Sequence, residues 1–201
     1  MELFRSLYSA AWTYCLRLRG ARVGRNLQVQ GPLHILLRDG ARLANLTIGD
    51  DVTLGGATYI RMRKSGKIIL GEGVRTGTDV WLVAANDAEL KIGSDTVLGS
   101  YSIFNGGHGL TIGNDCIFAA FVYVNTSDHH FKRDQLIKNQ GFFGAPIVIG
   151  DDVWLGGHVF VNKGVTIGTG SVIGAGAVVI ESIDEYKVAV GNPARVIRDR
   201  E

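Results

Sequence analysis

The sequence is poor in cysteine. Its two, Cys15 and Cys116, lie far apart, with no CxxC and no Cys/His pair at ligand spacing. That excludes a disulfide framework and a structural zinc site, and it suits a reducing cytoplasm. Long apolar runs are also missing: nothing approaches the roughly 18 to 20 uninterrupted apolar residues of a membrane span. The net charge of +2 comes from scattered Lys and Arg with no basic block, so nucleic acid is not an expected partner. What remains is an ordinary globular composition, 46% apolar and 20% charged over 201 residues, enough for one well-buried domain and too apolar for disorder.

At the N-terminus Leu3, Phe4, Leu7, Tyr8, Ala11, Trp12, Cys15 and Leu16 recur at helical spacing, with Arg5, Arg17 and Arg19 elsewhere. This predicts an amphipathic helix within residues 1–20. Its simplest role is to cap the open end of a repeat stack. The alternative is peripheral contact with a membrane surface through residues 1–19. The apolar part is broken by polar residues, which argues against a signal peptide.

Behind the helix the chain repeats. "LTIGDDVTLGGATYI", "IILGEGVRTGTDVWL", "LKIGSDTVLGSYSIF", "LTIGNDCIFAAFVYV", "IVIGDDVWLGGHVFV" and "VTIGTGSVIGAGAVV" align without a gap, and "ARVGRNLQVQGPLHI" is a degenerate copy. Two inward columns follow from the six-residue period. One is aliphatic, with Ile48, Leu70, Ile92, Ile112, Ile149 and Ile167 among its members. The other, four residues later, is small or β-branched: Val52, Val74, Thr96, Cys116, Val153 and Ser171. A narrow prism leaves no room for larger side chains at such corners. Cys116 is therefore expected in the core. The glycine that usually follows the aliphatic residue is expected to serve a turn that needs a permissive backbone.

The expected fold is an all-β solenoid, a parallel β-helix over 21–201 behind a helical cap at 1–20. Three hexads make a coil of 18 residues, and the starts at 48, 70, 92, 112, 149 and 167 show small corner insertions in some coils. One coil is longer by far, placing a single long loop at about 126–146. Long ordered loops on a rigid scaffold are where function concentrates.

The loop opens on "NTSDHHF", so His129 and His130 stand where the chain leaves the coil. Stacking coils 20 residues apart places Asn125 above Asn105 and Asp128 roughly above His108. A cluster of Asn105, His108, Asn125, Asp128, His129 and His130 is expected at one corner, although asparagines also cap turns and form ladders. No serine sits in a GxSxG elbow and Cys116 points inward, so the chemistry expected is direct transfer assisted by a histidine base.

These repeats, with "PIVIGDDVWLGGHVFVNKGVTIGTGSVIGAGAVV" and the following "VAVGNPARVIR", resemble the hexapeptide-repeat acyltransferases, in particular the galactoside, maltose and polysaccharide O-acetyltransferase branch. The resemblance spans residues 22–198. It implies a left-handed winding, a homotrimer, and acetyl-CoA held between adjacent prisms as acyl donor, with no metal. It selects His129 as the general base and makes the Gly157 backbone N–H the oxyanion donor. Trp154 and the backbone at Ala175 match positions near the cofactor, and Arg195 and Arg198 match basic residues near its phosphates. Ile180 and Glu181 stand where many relatives carry Thr-Lys, removing one phosphate contact that Lys187 is placed to replace. Tyr101 stands where the family has a sugar-contacting asparagine, which suggests an aromatic platform for a carbohydrate acceptor.

The expected activity is O-acetylation of a carbohydrate hydroxyl by a cytoplasmic enzyme. N-acylation of a nucleotide-linked amino sugar and a non-catalytic trimeric scaffold are the alternatives. Zinc hydration chemistry is disfavoured, because neighbouring histidines on an extended chain point apart.

Overall fold

The computed structural model describes residues 2–201, and of Glu2 and Leu3 the backbone alone, so Leu3 of the expected apolar face lies outside the described side chains. A single α-helix, α1 (Glu2–Leu18), precedes a prism with three walls of stacked strands. The first wall has seven strands and begins at Arg22–Val23. The second has nine and begins at Gln28–Val29, and the third has seven and begins at Leu33–Arg38. Every third strand returns to the same wall, in parallel, so three strands and their corners make one coil. Within the walls, among the described residues, only the last pair, Lys187–Val190 with Arg195–Asp199, is antiparallel, closing the second wall.

The hexad accounts for the strands. A strand of two or three residues alternates inward and outward side chains, and the corner that follows turns the chain onto the next wall. Along the first wall Thr47 pairs with Ile69, Ile69 with Lys91, Lys91 with Thr111, Thr111 with Val148 and Val148 with Thr166. The coils thus run 22, 22, 20, 37 and 18 residues, the spacings read from the repeat. Both inward columns are buried, from Ile48 through Ile173 and from Val52 through Ala177. The polar members of the second column are satisfied between coils: Thr96 Oγ1 donates to the Gly113 carbonyl and accepts from the Cys116 N–H.

The glycine column has a different cause from the one expected. Gly49 and Gly150 are not left-handed; a Cβ on them would come within 2.7 Å of Glu72 N and 2.6 Å of Thr169 N on the next coil. Close approach of stacked backbones excludes a side chain there. The left-handed residue comes two positions later and is an aspartate at Asp51, Asp95, Asp115 and Asp152, a residue type that tolerates this conformation better than most.

Cys116 lies in the core as expected. Burial pushes its thiol up to about 11, and Sγ donates to the Gly150 carbonyl, so it stays protonated and inert. Thiol titration of the native chain is expected to read Cys15 alone, with the second group appearing only on unfolding. Two rapidly reacting thiols in the native state would contradict this packing.

The outward face of the third wall carries an apolar column. Tyr59, Trp81, Ile103, Tyr123 and Phe160 occupy successive rungs of one column, with Tyr59 and Trp81 stacked at 4.3 Å. At the edge between the second and third walls, Tyr101, Phe121 and His158 form a second stack at 5.1 and 4.6 Å. All three have φ near +60°, each at a cost of roughly 1–2 kcal/mol for a side chain of that size.

Candidate active site

The long excursion leaves the edge between the third and first walls. Thr126 still belongs to the coil: it is buried, and its hydroxyl donates to the Asn105 carbonyl. Beyond it the chain forms an antiparallel finger, Ser127–His129 against Phe142–Gly144. A short 3-10 turn, Ile137–Asn139, lies near its tip. Gly144 lets the finger return, because a Cβ there would collide with the His108 ring and the Thr126 carbonyl.

At the root the expected asparagine stack is present. Asn105 and Asn125 are register partners, and the Asn105 amide donates to Asn125 Oδ1 at 2.9 Å. Asn162, on the next rung, extends the column and was not anticipated. The amide of Asn125 donates to the Ser127 carbonyl at 2.7 Å, which directs the chain into the finger.

The expected placement of Asp128 above His108 is not found. His108 Nδ1 shares a 2.8 Å hydrogen bond with the Ser127 hydroxyl, while Asp128 points to the other side and forms an ion pair with Lys163. The reason is the two-residue alternation of a strand, which begins again at the root of the finger. Lys163 also lies 4.7 Å from the Phe143 ring centroid, so one ammonium holds both strands of the finger to the next coil. Lys163→Ala is expected to speed tryptic cleavage at the exposed Lys132, Arg133 and Lys138 several-fold with little change in Tm. An unchanged cleavage rate would remove Lys163 from this role.

Alternation also separates the two histidines. His130 stacks on Phe143 at 4.8 Å, and His129 lies 4.3 Å from Phe142, its register partner. Both are exposed. The His129 ring makes no hydrogen bond among the described residues, leaving its nitrogens available to a ligand.

The residues expected around the acyl donor gather elsewhere. Gly157 and Ala175 lie at the edge between the second and third walls on adjoining coils, joined by the Gly176 N–H donating to the Gly157 carbonyl. The Gly157 N–H has no acceptor among the described residues. Trp154 projects from the second wall beside them, half exposed. Arg195 and Arg198 are on the closing strand, where Arg195 lies 3.5 Å from Glu181 and Arg198 donates to the Asp199 carbonyl. Lys187 is bound to Asp199, which leaves it poorly placed to replace the missing phosphate contact. Tyr101 belongs to this edge too, under Phe121 and His158.

Within one chain the third wall stands between these two groups. From the Phe121 corner to Thr126 is five residues, roughly 16 Å at 3.3 Å per residue. A cleft of about 810 Å³ lies at neither group but beside α1. Phe121, His158, Asn162, Lys163 and Ser127 were not singled out from sequence. The aromatic pair had a signal, since both align with Tyr101 at coil spacing.

Two family models match the chain: bacterial transferase hexapeptide (six repeats) over residues 146–181, and hexapeptide repeat of succinyl-transferase over residues 89–126. A probable acetyltransferase of Mycobacterium tuberculosis is 37% identical over 133 residues, 66% of this chain and 44% of that protein. The polysialic acid O-acetyltransferase of Escherichia coli O1:K1 is 34% identical over 141 residues, 70% of this chain and 43% of that protein. The chain thus spans under half the length of these curated relatives. Among solved structures, a maltose O-acetyltransferase from Clostridium difficile is 28% identical with a TM-score of 0.54, over 94% of this chain and 74% of that one. Repeat, prism and relatives agree: the chain is built from the hexapeptide repeat of bacterial transferases, and about two thirds of it is similar to acetyltransferases of that repeat.

Proposed function

We propose that this chain is an acetyl-CoA-dependent O-acetyltransferase acting on a hydroxyl of a carbohydrate, such as a surface polysaccharide, its precursor or a glycoside. The observation that carries the reading is the exposed imidazole of His129, which has no hydrogen-bond partner among the described residues and stands on their one long excursion from the prism. The names of the relatives give the reading its acyl group and acceptor class. His129 removes the proton of the acceptor hydroxyl as its oxygen attacks the thioester carbonyl. The oxyanion that forms is met by the Gly157 N–H, a donor worth on the order of 3 kcal/mol. Collapse breaks the carbon–sulfur bond, and the imidazolium returns its proton to the departing thiolate.

Because one wall separates His129 from Gly157, the reading requires more than one copy. Three copies in head-to-tail contact bring the finger of one to the second–third edge of the next. The aromatic columns of the third wall and its edge supply an apolar surface suited to such contact. Release of thiol from acetyl-CoA in the presence of maltose, other glycosides or sialic acid polymers tests the proposal. Acceptor-dependent release is expected, and no release with any sugar would overturn it.

A further inference from the structure

Helix α1 has more apolar surface than its capping role uses. Toward the prism it buries Leu16 completely and Trp12 in part, and the Ser9 hydroxyl accepts the Val29 N–H at 2.9 Å. The opposite side is where a surface helix is ordinarily polar. Here that side carries Phe4, Leu7, Tyr14 and Leu18, exposed by 79, 60, 70 and 73%. With exposed Ala11 their spacing of three and four residues makes one straight stripe, about 21 Å long at 1.5 Å per residue. No described part of the chain covers it.

The charge around the stripe indicates what does. The first 25 residues contain five arginines and one acid, Glu2, whereas the whole chain is only +2. Arg25 is paired with Asp50. Arg5, Arg19 and Arg22 are exposed and make no ion pair among the described residues. Arg17 donates to the Val23 and Gly24 carbonyls, neutral groups that leave its charge in place. A second copy of α1 laid on the stripe would face arginines with arginines. An anionic lipid surface complements both features, with acyl chains against the stripe and headgroup phosphates against the guanidinium groups. The helix is not long and apolar enough to cross a membrane, so contact with a bilayer would be in the plane of its surface.

We propose that α1 docks the prism onto an anionic lipid surface through Phe4, Leu7, Tyr14 and Leu18, flanked by Arg17 and Arg19, with Arg22 just beyond its C-terminal end. The root of the finger lies four rungs along the prism from the first coil, about 20 Å at the usual strand spacing. An acceptor assembled at that surface would be within reach of it.

The test is co-sedimentation of the full chain with phosphatidylcholine vesicles containing about 30% phosphatidylglycerol, compared with phosphatidylcholine alone. Partitioning at least tenfold stronger on the anionic vesicles, and weakened by salt, is expected. The double variant L7E/L18E alters only exposed side chains and is expected to keep its circular dichroism and thermal unfolding while losing tenfold or more in partitioning. R19E/R22E should weaken binding to the anionic vesicles alone. Absence of partitioning, or partitioning undiminished in L7E/L18E, would overturn the proposal. So would a fall in oligomer mass in L7E/L18E with no vesicle binding by the parent chain, which would assign the stripe to a second copy. Vesicle binding involves no acyl transfer, so failure here leaves the proposed activity standing.

Discussion

His129→Ala is expected to lower acetyl transfer by about 100- to 10,000-fold, the range general-base catalysis supplies. The loss should fall on kcat with little change in the KM for acetyl-CoA, because the ring belongs to the finger and the donor residues to another edge. His129 is exposed and packs against Phe142 on the finger, so the substitution should leave Tm essentially unchanged. His130→Ala is the informative companion. It removes an exposed ring one residue away that faces Phe143 instead, and transfer should stay within a few-fold of the parent. Thiol release with an identified acceptor measures both. Undiminished turnover in His129→Ala would remove this residue from the chemistry; equal losses in both variants would indicate that the finger serves as a lid.

The second large effect concerns the separation of His129 from Gly157 by a whole wall. A chain carrying His129→Ala and a chain carrying Gly157→Pro, which lacks the backbone N–H, are each expected to be inactive. Co-refolded at equal amounts, they should regain about a quarter of the parent activity, since a head-to-tail interface joins an intact finger to an intact Gly157 in that fraction of contacts. Gly157→Ala keeps the donor, and its Cβ would meet only the Ala120 carbonyl, at 3.4 Å; it should remain active and so separates loss of the N–H from general damage. No recovery in mixtures shown by mass to contain both chains would place the whole reaction within one copy.

How much of this was legible in the sequence depended on whether it obeyed the repeat. Stacking is arithmetic in a solenoid, so the walls, both inward columns, the odd 37-residue coil and the pairing of Asn105 with Asn125 followed from spacing alone. Prediction stopped at the finger, where the six-residue rule gives way to the two-residue alternation of a hairpin. Asp128 therefore swung to Lys163, and Ser127 took its place beside His108. The glycine column was located correctly but misexplained, because crowding between coils is invisible in a linear pattern. The outward column from Tyr59 to Phe160 was overlooked for a simpler reason. Outward positions in a repeat read as surface one by one, and only their recurrence at coil spacing marks them as a continuous apolar face.

The 37-residue coil has a consequence for variation. Closing a loop of twice the usual length costs only about 0.6 kcal/mol more, and each coil contacts only its neighbours. The rungs on either side of the excursion, Ile112 and Ile149, still pair and are both buried. The ladder is thus nearly indifferent to what is spliced in at that corner. A lineage could lengthen, shorten or rewrite the finger, and with it the choice of acceptor, while leaving the rungs and the donor edge unaltered.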